Sequence, residues 1–269
     1  MSKISAQINT GTGINIKKNE NKKTVKSIIE VYYIAFKKDG AVKKNNQYAD
    51  MSDGNKIFKS YNKKGKLLEI IRLNNNDTVK RISYVFQKGY LKEKKIFGTK
   101  NKLLKTVKYI YDTTGKLYLE ETYSDKEKVS TDTLKYNQHG IQKFKIISDA
   151  GGKLLMTKGY NYNINGNIIE FSSFNYFTDD YTRITYKYNL QGKITEKITE
   201  INDYLNEKIT FKYDSNGNIT EKTKHDYTGS LVYKKTFKYE FDKDNNWIKK
   251  IIYKEGIPQY IVERKIQYY

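Results

Sequence analysis

The chain lacks cysteine and has a single proline among its 269 residues. Without cysteine, disulfides, thiolate metal sites and cysteine nucleophiles are excluded. The near absence of proline argues against proline-rich linkers. No apolar run approaches the roughly 20 residues of a membrane-spanning helix, and the first residues lack the apolar region of a signal peptide. The expected location stays open: the cell surface or the exterior if a leader was removed, and otherwise the cytoplasm.

Arginine is scarce although the formal net charge is +21. The positive charge is almost all lysine, and the arginines are Arg72, Arg81, Arg183 and Arg264. Arginine makes the bidentate contacts that read phosphates and bases, whereas lysine is a hydrated point charge. This composition argues against specific nucleic-acid recognition. Two interpretations remain: a polyanion partner, or lysines that keep a β-rich surface soluble and discourage edge pairing.

Tyrosine is abundant, with 26 copies, although hydrophobic residues make up only 37% of the chain. Aromatic and β-branched residues favour a folded chain over a disordered one, here with a thin core. The first residues are instead polar and charged. Residues 1–24 are therefore predicted to be a mobile tail, and residues 25–269 a single repeat array.

One seven-residue frame recurs along the array. It consists of an aromatic residue, Asp or Asn, two free positions, Gly, then Lys or Asn, then an aliphatic residue; Tyr213 to Ile219 is the clearest copy. Such periodicity is the signature of a repeat architecture. The leading aromatic residues stand at intervals of 25 to 28 residues and are Phe36, Tyr61, Phe86, Tyr111, Tyr136, Tyr162, Tyr188, Tyr213 and Phe241.

The frame has the chemistry of a tight hairpin turn closed by a left-handed glycine. The structural turn glycines are predicted to be Gly65, Gly115, Gly166, Gly192 and Gly217. Apolar residues alternate in twos before each turn, as in strands, and a second turn lies midway between frames. Nine units therefore predict an all-β antiparallel meander of about 18 strands. Because long sheets curl, we expect an open roll, spiral or shell with unpaired edges and the aromatic face inside.

The frames resemble the YD repeat of the RHS family. Tyr111 to Gly115 and Tyr213 to Gly217 match its Tyr-Asp-x-x-Gly core best, and the resemblance covers roughly Val31 to Tyr269. It implies β-hairpin strips wound into a hollow shell, in bacterial surface or toxin-delivery proteins associated with carbohydrate binding. The chain departs from the family after the turn glycine, where Lys or Asn replaces the usual arginine.

A second aromatic residue precedes each leading one by two positions. Aromatic rings on a concave sheet can stack on sugar rings while tyrosine hydroxyls, Lys and Asn supply hydrogen bonds. The alternative is cross-strand packing within each hairpin pair. The predicted ligand-binding residues are Tyr84, Tyr109, Tyr160, Tyr186 and Tyr239.

Groups suited to catalysis are few. His139 and His225 lie in different units, so no metal site is predicted. Paired-carboxylate hydrolysis is the enzymatic alternative, and the acidic residues that share one repeat position are Glu69, Glu170, Glu196 and Glu221. Acid–base catalysis needs two carboxylates in unlike environments, whereas a repeated position gives equivalent ones. The sequence therefore predicts a protein that is not an enzyme and that needs no cofactor.

These features together predict a non-enzymatic bacterial binding or scaffold module that recognises a glycan or a protein surface through its curled sheet. One alternative is a lysine-driven polyanion-binding protein, whose binding would weaken steeply with salt. Another is an immunity or chaperone-like partner of a larger secreted protein.

Overall fold

The computed structural model describes residues 23–49 and 54–269. Most of the predicted tail, residues 1–22, lies outside the described residues. Within them the chain forms one sheet of 19 antiparallel strands and a short 3-10 helix, Thr99–Asn101. The all-β antiparallel meander predicted from the frames is confirmed.

The strands follow one another along the chain with short connections. They are β1 (Val25–Lys38), β2 (Ala41–Tyr48), β3 (Lys56–Tyr61), β4 (Leu67–Asn74), β5 (Asp77–Gln87), β6 (Tyr90–Phe97), β7 (Leu103–Tyr111), β8 (Leu117–Ser124), β9 (Glu127–Tyr136), β10 (Gln142–Asp149), β11 (Leu154–Tyr162), β12 (Ile168–Asn175), β13 (Asp180–Tyr188), β14 (Ile194–Ile201), β15 (Tyr204–Tyr213), β16 (Ile219–Asp226), β17 (Leu231–Phe241), β18 (Trp247–Lys254) and β19 (Ile257–Tyr268).

The sheet closes on itself, so the predicted open roll or spiral is wrong. β1 pairs with β19 on one side, from Val25 opposite Tyr268 to Ile34 opposite Tyr260. On its other side β1 pairs with β2 and then β3, which together fill one position of the ring. The result is a barrel of 18 strand positions. Closure gives the edge strands the hydrogen-bond partners that an open meander would lack.

The repeated turns explain why the frame begins with Asp or Asn. In the turn at Asn163, the side-chain Oδ1 accepts hydrogen bonds from the N–H groups of Asn165 and Asn167, each at 3.0 Å. The Gly166 N–H donates to the Asn163 carbonyl at 3.0 Å, and Gly166 has a φ of 77°. The other four predicted turn glycines also have positive φ, between 72° and 80°. An L-residue with a side chain would be strained in this conformation.

Two frames form a different turn. The Phe86 frame has its glycine one place early because β5 and β6 are joined by two residues, Lys88 and Gly89, with φ of 47° and 86°. The Phe36 frame likewise uses a two-residue turn, Asp39–Gly40. Two-residue hairpin loops with both residues left-handed match the twist of the strands they connect.

The Phe36 frame is also not equivalent to the other eight. Because β1 runs antiparallel to β3, its turn lies at the end of the barrel opposite the turn that follows Tyr61. We call the end that carries the other eight frame turns the repeat rim. The ninth position on the repeat rim is the junction of β19 and β1, where the Tyr269 N–H donates to the Thr24 carbonyl at 3.0 Å.

Tyrosine hydroxyls connect consecutive hairpins at the repeat rim. The Tyr213 hydroxyl donates to the Ile194 carbonyl at 2.6 Å, and the Tyr111 hydroxyl to the Leu91 carbonyl at 3.0 Å. At the closure, the Tyr269 hydroxyl donates to the Tyr61 carbonyl. A phenol that reaches a neighbouring carbonyl satisfies a polar group at the strand end and fixes the adjacent hairpins to each other.

Candidate functional site

One face of the sheet is concave. Lys145 Nζ on β10 lies 2.8 Å from Glu120 Oε2 on β8, two strands away. On a flat sheet, strands two positions apart are separated by about 10 Å. The two side chains therefore converge, and we call this the inner face of the ring.

The five predicted ligand-binding tyrosines all lie on the inner face, which follows from the pairing registers around the ring. They are spread over β5, β7, β11, β13 and β17 rather than gathered at one point. Each is half-buried. Burial is the first cause of the raised pKa of each phenol.

Burial on the inner face is uneven. Leu134, Ile209 and Val262 are buried, whereas Tyr186 and Ile184 stay half-buried. Eighteen strands about 4.8 Å apart give a ring roughly 27 Å across before tilt, wide enough for a water-filled interior. The half-buried tyrosines each leave part of their ring exposed on this face.

Lysines stand directly opposite several inner aromatic residues. Tyr84 is paired in register with Lys94, Tyr186 with Lys197, and Tyr239 with Lys250. Phe211 has the same relationship to Lys222. The ligand-binding residues predicted from the sequence did not include these lysines. The spacing of Lys197 and Lys222, one repeat apart, is visible in the sequence. The face of the sheet that each occupies is not, because it depends on the β-bulges that follow the turns.

The inner face carries an excess of positive charge. Away from strand ends its acidic residues are Glu30, Glu120, Asp132 and Glu207. Its basic residues are Lys59, Arg72, Lys80, Lys94, Lys105, Lys145, Lys158, Lys197, Lys222, Lys224, Lys235, Lys250 and Arg264. Low-dielectric walls lined by one sign of charge strengthen the field inside a cleft. The interior therefore attracts anions.

The repeated glutamates lie on the outer face. Glu196 lies between Lys187 and Lys208, each 2.7 Å from one of its oxygens. Glu221 has the same arrangement with Lys212 and Lys234, each at 2.8 Å. Hydrogen bonds from these lysines lower the pKa of both carboxyl groups.

The other two members of the set are also engaged. Glu69 pairs with Arg81 at 2.8 Å, and Glu170 accepts a hydrogen bond from Asn161 at 3.0 Å. A carboxylate held between two lysines stays ionised, and Glu196 and Glu221 have closely similar surroundings. This arrangement suits ion pairing better than acid–base chemistry.

The two histidines lie apart. His139 is exposed in the turn between β9 and β10, and His225 lies on β16. In residues 23–49 and 54–269, no group of three His, Cys, Asp or Glu side chains could hold a metal ion. No helix among the described residues has the length and apolar character needed to cross a bilayer.

Comparison with known proteins gives distant structural matches only. No protein-family model matches the chain, and no curated protein matches it. A porin-like protein from Bacteroides uniformis is 12% identical with a TM-score of 0.46, covering 91% of this chain and 98% of its own. A porin-like protein from Bacteroides vulgatus is 10% identical with a TM-score of 0.36, covering 90% and 98%. The TcdB2-TccC3-Cdc42 structure is 11% identical with a TM-score of 0.34, and the match covers 77% of this chain but 14% of that one.

Proposed function

We propose that the protein is a non-enzymatic binding protein whose inner face takes an acidic glycan. The observation that carries the proposal is the repeated pairing of an aromatic ring with a lysine on the inner face, as at Tyr186 and Lys197. A ring can stack on the apolar face of a sugar, and the adjacent ammonium group can pair with a carboxylate or sulfate on it. An elongated acidic glycan would meet the same pair of groups on successive hairpins.

The charge distribution favours an acidic glycan over a neutral one. On the outer face several lysines are matched by glutamates, as around Glu196 and Glu221. On the inner face many lysines have no such partner near them in register; Lys222, for example, faces Phe211 and Lys235. Binding an anion inside the barrel would reduce this repulsion.

We also propose that the chain is a divergent relative of the YD-repeat proteins. Its support is the frame itself, in which the Asp or Asn side chain organises the turn and the leading tyrosine joins neighbouring hairpins. The association of that family with bacterial carbohydrate binding agrees with a glycan ligand.

The test is binding to a sulfated or uronic-acid polysaccharide, a neutral polysaccharide and DNA, each at 0.15 M and 0.5 M salt, a change that roughly halves the Debye length. We expect binding to the acidic polysaccharide that weakens with salt but persists at 0.5 M because of stacking. Tyr186→Leu and Lys197→Gln should each weaken it about tenfold, close to 1.4 kcal/mol.

Matched controls come from the outer face. Tyr253 and Lys212 face outwards, so Tyr253→Leu and Lys212→Gln should leave affinity unchanged. Equal binding to DNA and polysaccharide, with no effect of Tyr186→Leu and complete loss at 0.5 M salt, would replace the proposal with general polyanion binding. If none of the three polymers binds, the proposal fails and a protein partner becomes the next candidate.

A further inference from the structure

The most buried charges of the barrel lie where the ring closes. Glu30 on β1 is paired in register with Arg264 on β19, and its side chain is only 7% exposed. Arg264 donates to Glu30 Oε1 from Nη2 at 2.6 Å and from Nε at 3.1 Å. Lys59 on β3 lies 3.8 Å from the same oxygen. This one carboxylate therefore joins the strands on both sides of β1.

Two further groups complete this seam cluster, which we define as Glu30, Lys59, Trp247, Lys250 and Arg264. The Arg264 guanidinium carbon lies 3.3 Å from the centroid of the Trp247 ring, and Lys250 Nζ lies 5.0 Å from it. Both are cation–π contacts. Lys250 has no carboxylate within ion-pair distance among the residues that the structure describes.

The charges of the seam cluster do not balance. Among the residues that the structure describes, Glu30 is the carboxylate that opposes the three cations Lys59, Lys250 and Arg264. Burial lowers the pKa of Lys250, and the charges of Arg264 and Lys59 lower it further. Clustered cations away from bulk water are unfavourable unless an anion compensates them.

We propose that the seam cluster is a binding site for one oxyanion group, a carboxylate, sulfate or phosphate, held between Lys59, Lys250 and Arg264. Lys59 and Lys250 are half-buried and belong to the inner face, so an anion would reach them from the interior. Arg264 supplies planar N–H donors suited to an oxyanion, and the lysines supply compact charges. The site does not depend on a polysaccharide, because a single oxyanion suffices to fill it.

Trp247 is the one tryptophan of the chain, so its fluorescence reports directly on this cluster. The experiment titrates sodium sulfate, sodium phosphate or sodium glucuronate into the full chain, with sodium chloride at matched ionic strength as the blank. We expect a saturable change in Trp247 emission with an oxyanion and none with chloride. A response to sulfate and phosphate without glucuronate would assign the site to a free inorganic anion, and a stronger response to glucuronate to the acidic group of a sugar.

The variants separate this site from general charge screening. Lys250→Gln and Lys59→Gln should each raise the apparent Kd for sulfate at least about tenfold. Glu30→Gln should lower the Kd, because it removes the competing carboxylate. Lys212→Gln, on the outer face, should leave the Kd unchanged.

Far-UV circular dichroism confirms that each variant is folded before its titration is interpreted. Identical, unsaturable responses in the wild type and all variants would overturn the proposal. So would an unchanged Kd in Lys250→Gln and Lys59→Gln. Neither result bears on polysaccharide binding at Tyr186 and Lys197, which lie on β13 and β14.

Discussion

Replacing Glu30 tests how far one buried carboxylate holds the ring closed. Glu30→Gln keeps the shape of the side chain but removes the charge that compensates Arg264 at 2.6 Å and Lys59 at 3.8 Å. Breaking a buried ion pair by removing one partner costs about 3–5 kcal/mol, since the remaining charges stay buried without compensation. That is a large part of a typical total stability of about 5–15 kcal/mol.

The assay is equilibrium unfolding in urea, followed by circular dichroism. With a slope of about 3 kcal/mol per M for a chain of this size, the midpoint should fall by more than about 1 M. Glu240→Gln is the matched control, because Glu240 pairs with Lys249 at 2.8 Å while 58% exposed, and such pairs contribute about 0–1 kcal/mol. Equal losses of stability in the two variants would show that Glu30 does not hold the ring closed.

Three further predictions concern Glu30, Tyr213 and Gly166. Burial opposes ionisation of Glu30, but the charges of Lys59 and Arg264 outweigh it and lower its pKa from 4.5. The ionised carboxylate therefore contributes fully to folding stability above pH 4.5, and this contribution is lost as the pH falls through the lowered pKa. The stability gap between the wild type and Glu30→Gln, measured in urea, should therefore narrow in acid and stay constant near neutrality. Tyr213→Phe should cost about 0.5–1.5 kcal/mol in the same assay, because the Ile194 carbonyl loses its hydroxyl donor. Gly166→Ala should cost about 1–2 kcal/mol from its φ of 77° despite open space around it, whereas Gly151→Ala, without positive φ, should cost less.

The regular strands and turns were predictable because each frame contains the residues that form its own turn. Asn163 organises the turn and Gly166 takes the left-handed conformation, so the local sequence determines the hairpin. Closure was not predictable in the same way. Closure depends on β1 and β19 meeting in register after every intervening strand has added its twist. No local sequence pattern near Val25 or Tyr268 predicts that pairing.

The site was only partly accessible to sequence reasoning. Alternation correctly grouped Tyr84, Tyr186 and Tyr239 on one face. It did not place Lys197 opposite Tyr186, because a β-bulge shifts the register between the turn and that pair. Glu30 and Arg264 are 234 residues apart in the chain, and their contact follows from closure alone.

Because the ring is closed, the number of repeats determines the diameter of the barrel. Each unit adds two antiparallel strands, and closure needs β1 and the last strand to run in opposite directions, so the count must stay even. Joining Tyr162 directly to Asn189 would delete β12 and β13. The turn that begins at Asn189 would then connect β11 to β14 at the repeat rim, and the seam cluster would stay intact. The circumference would then shrink by about a ninth, since diameter grows roughly linearly with strand number. Duplicating a unit would widen the barrel by the same step, so gain or loss of repeats would change the size of the molecules that fit inside while leaving the seam cluster unchanged.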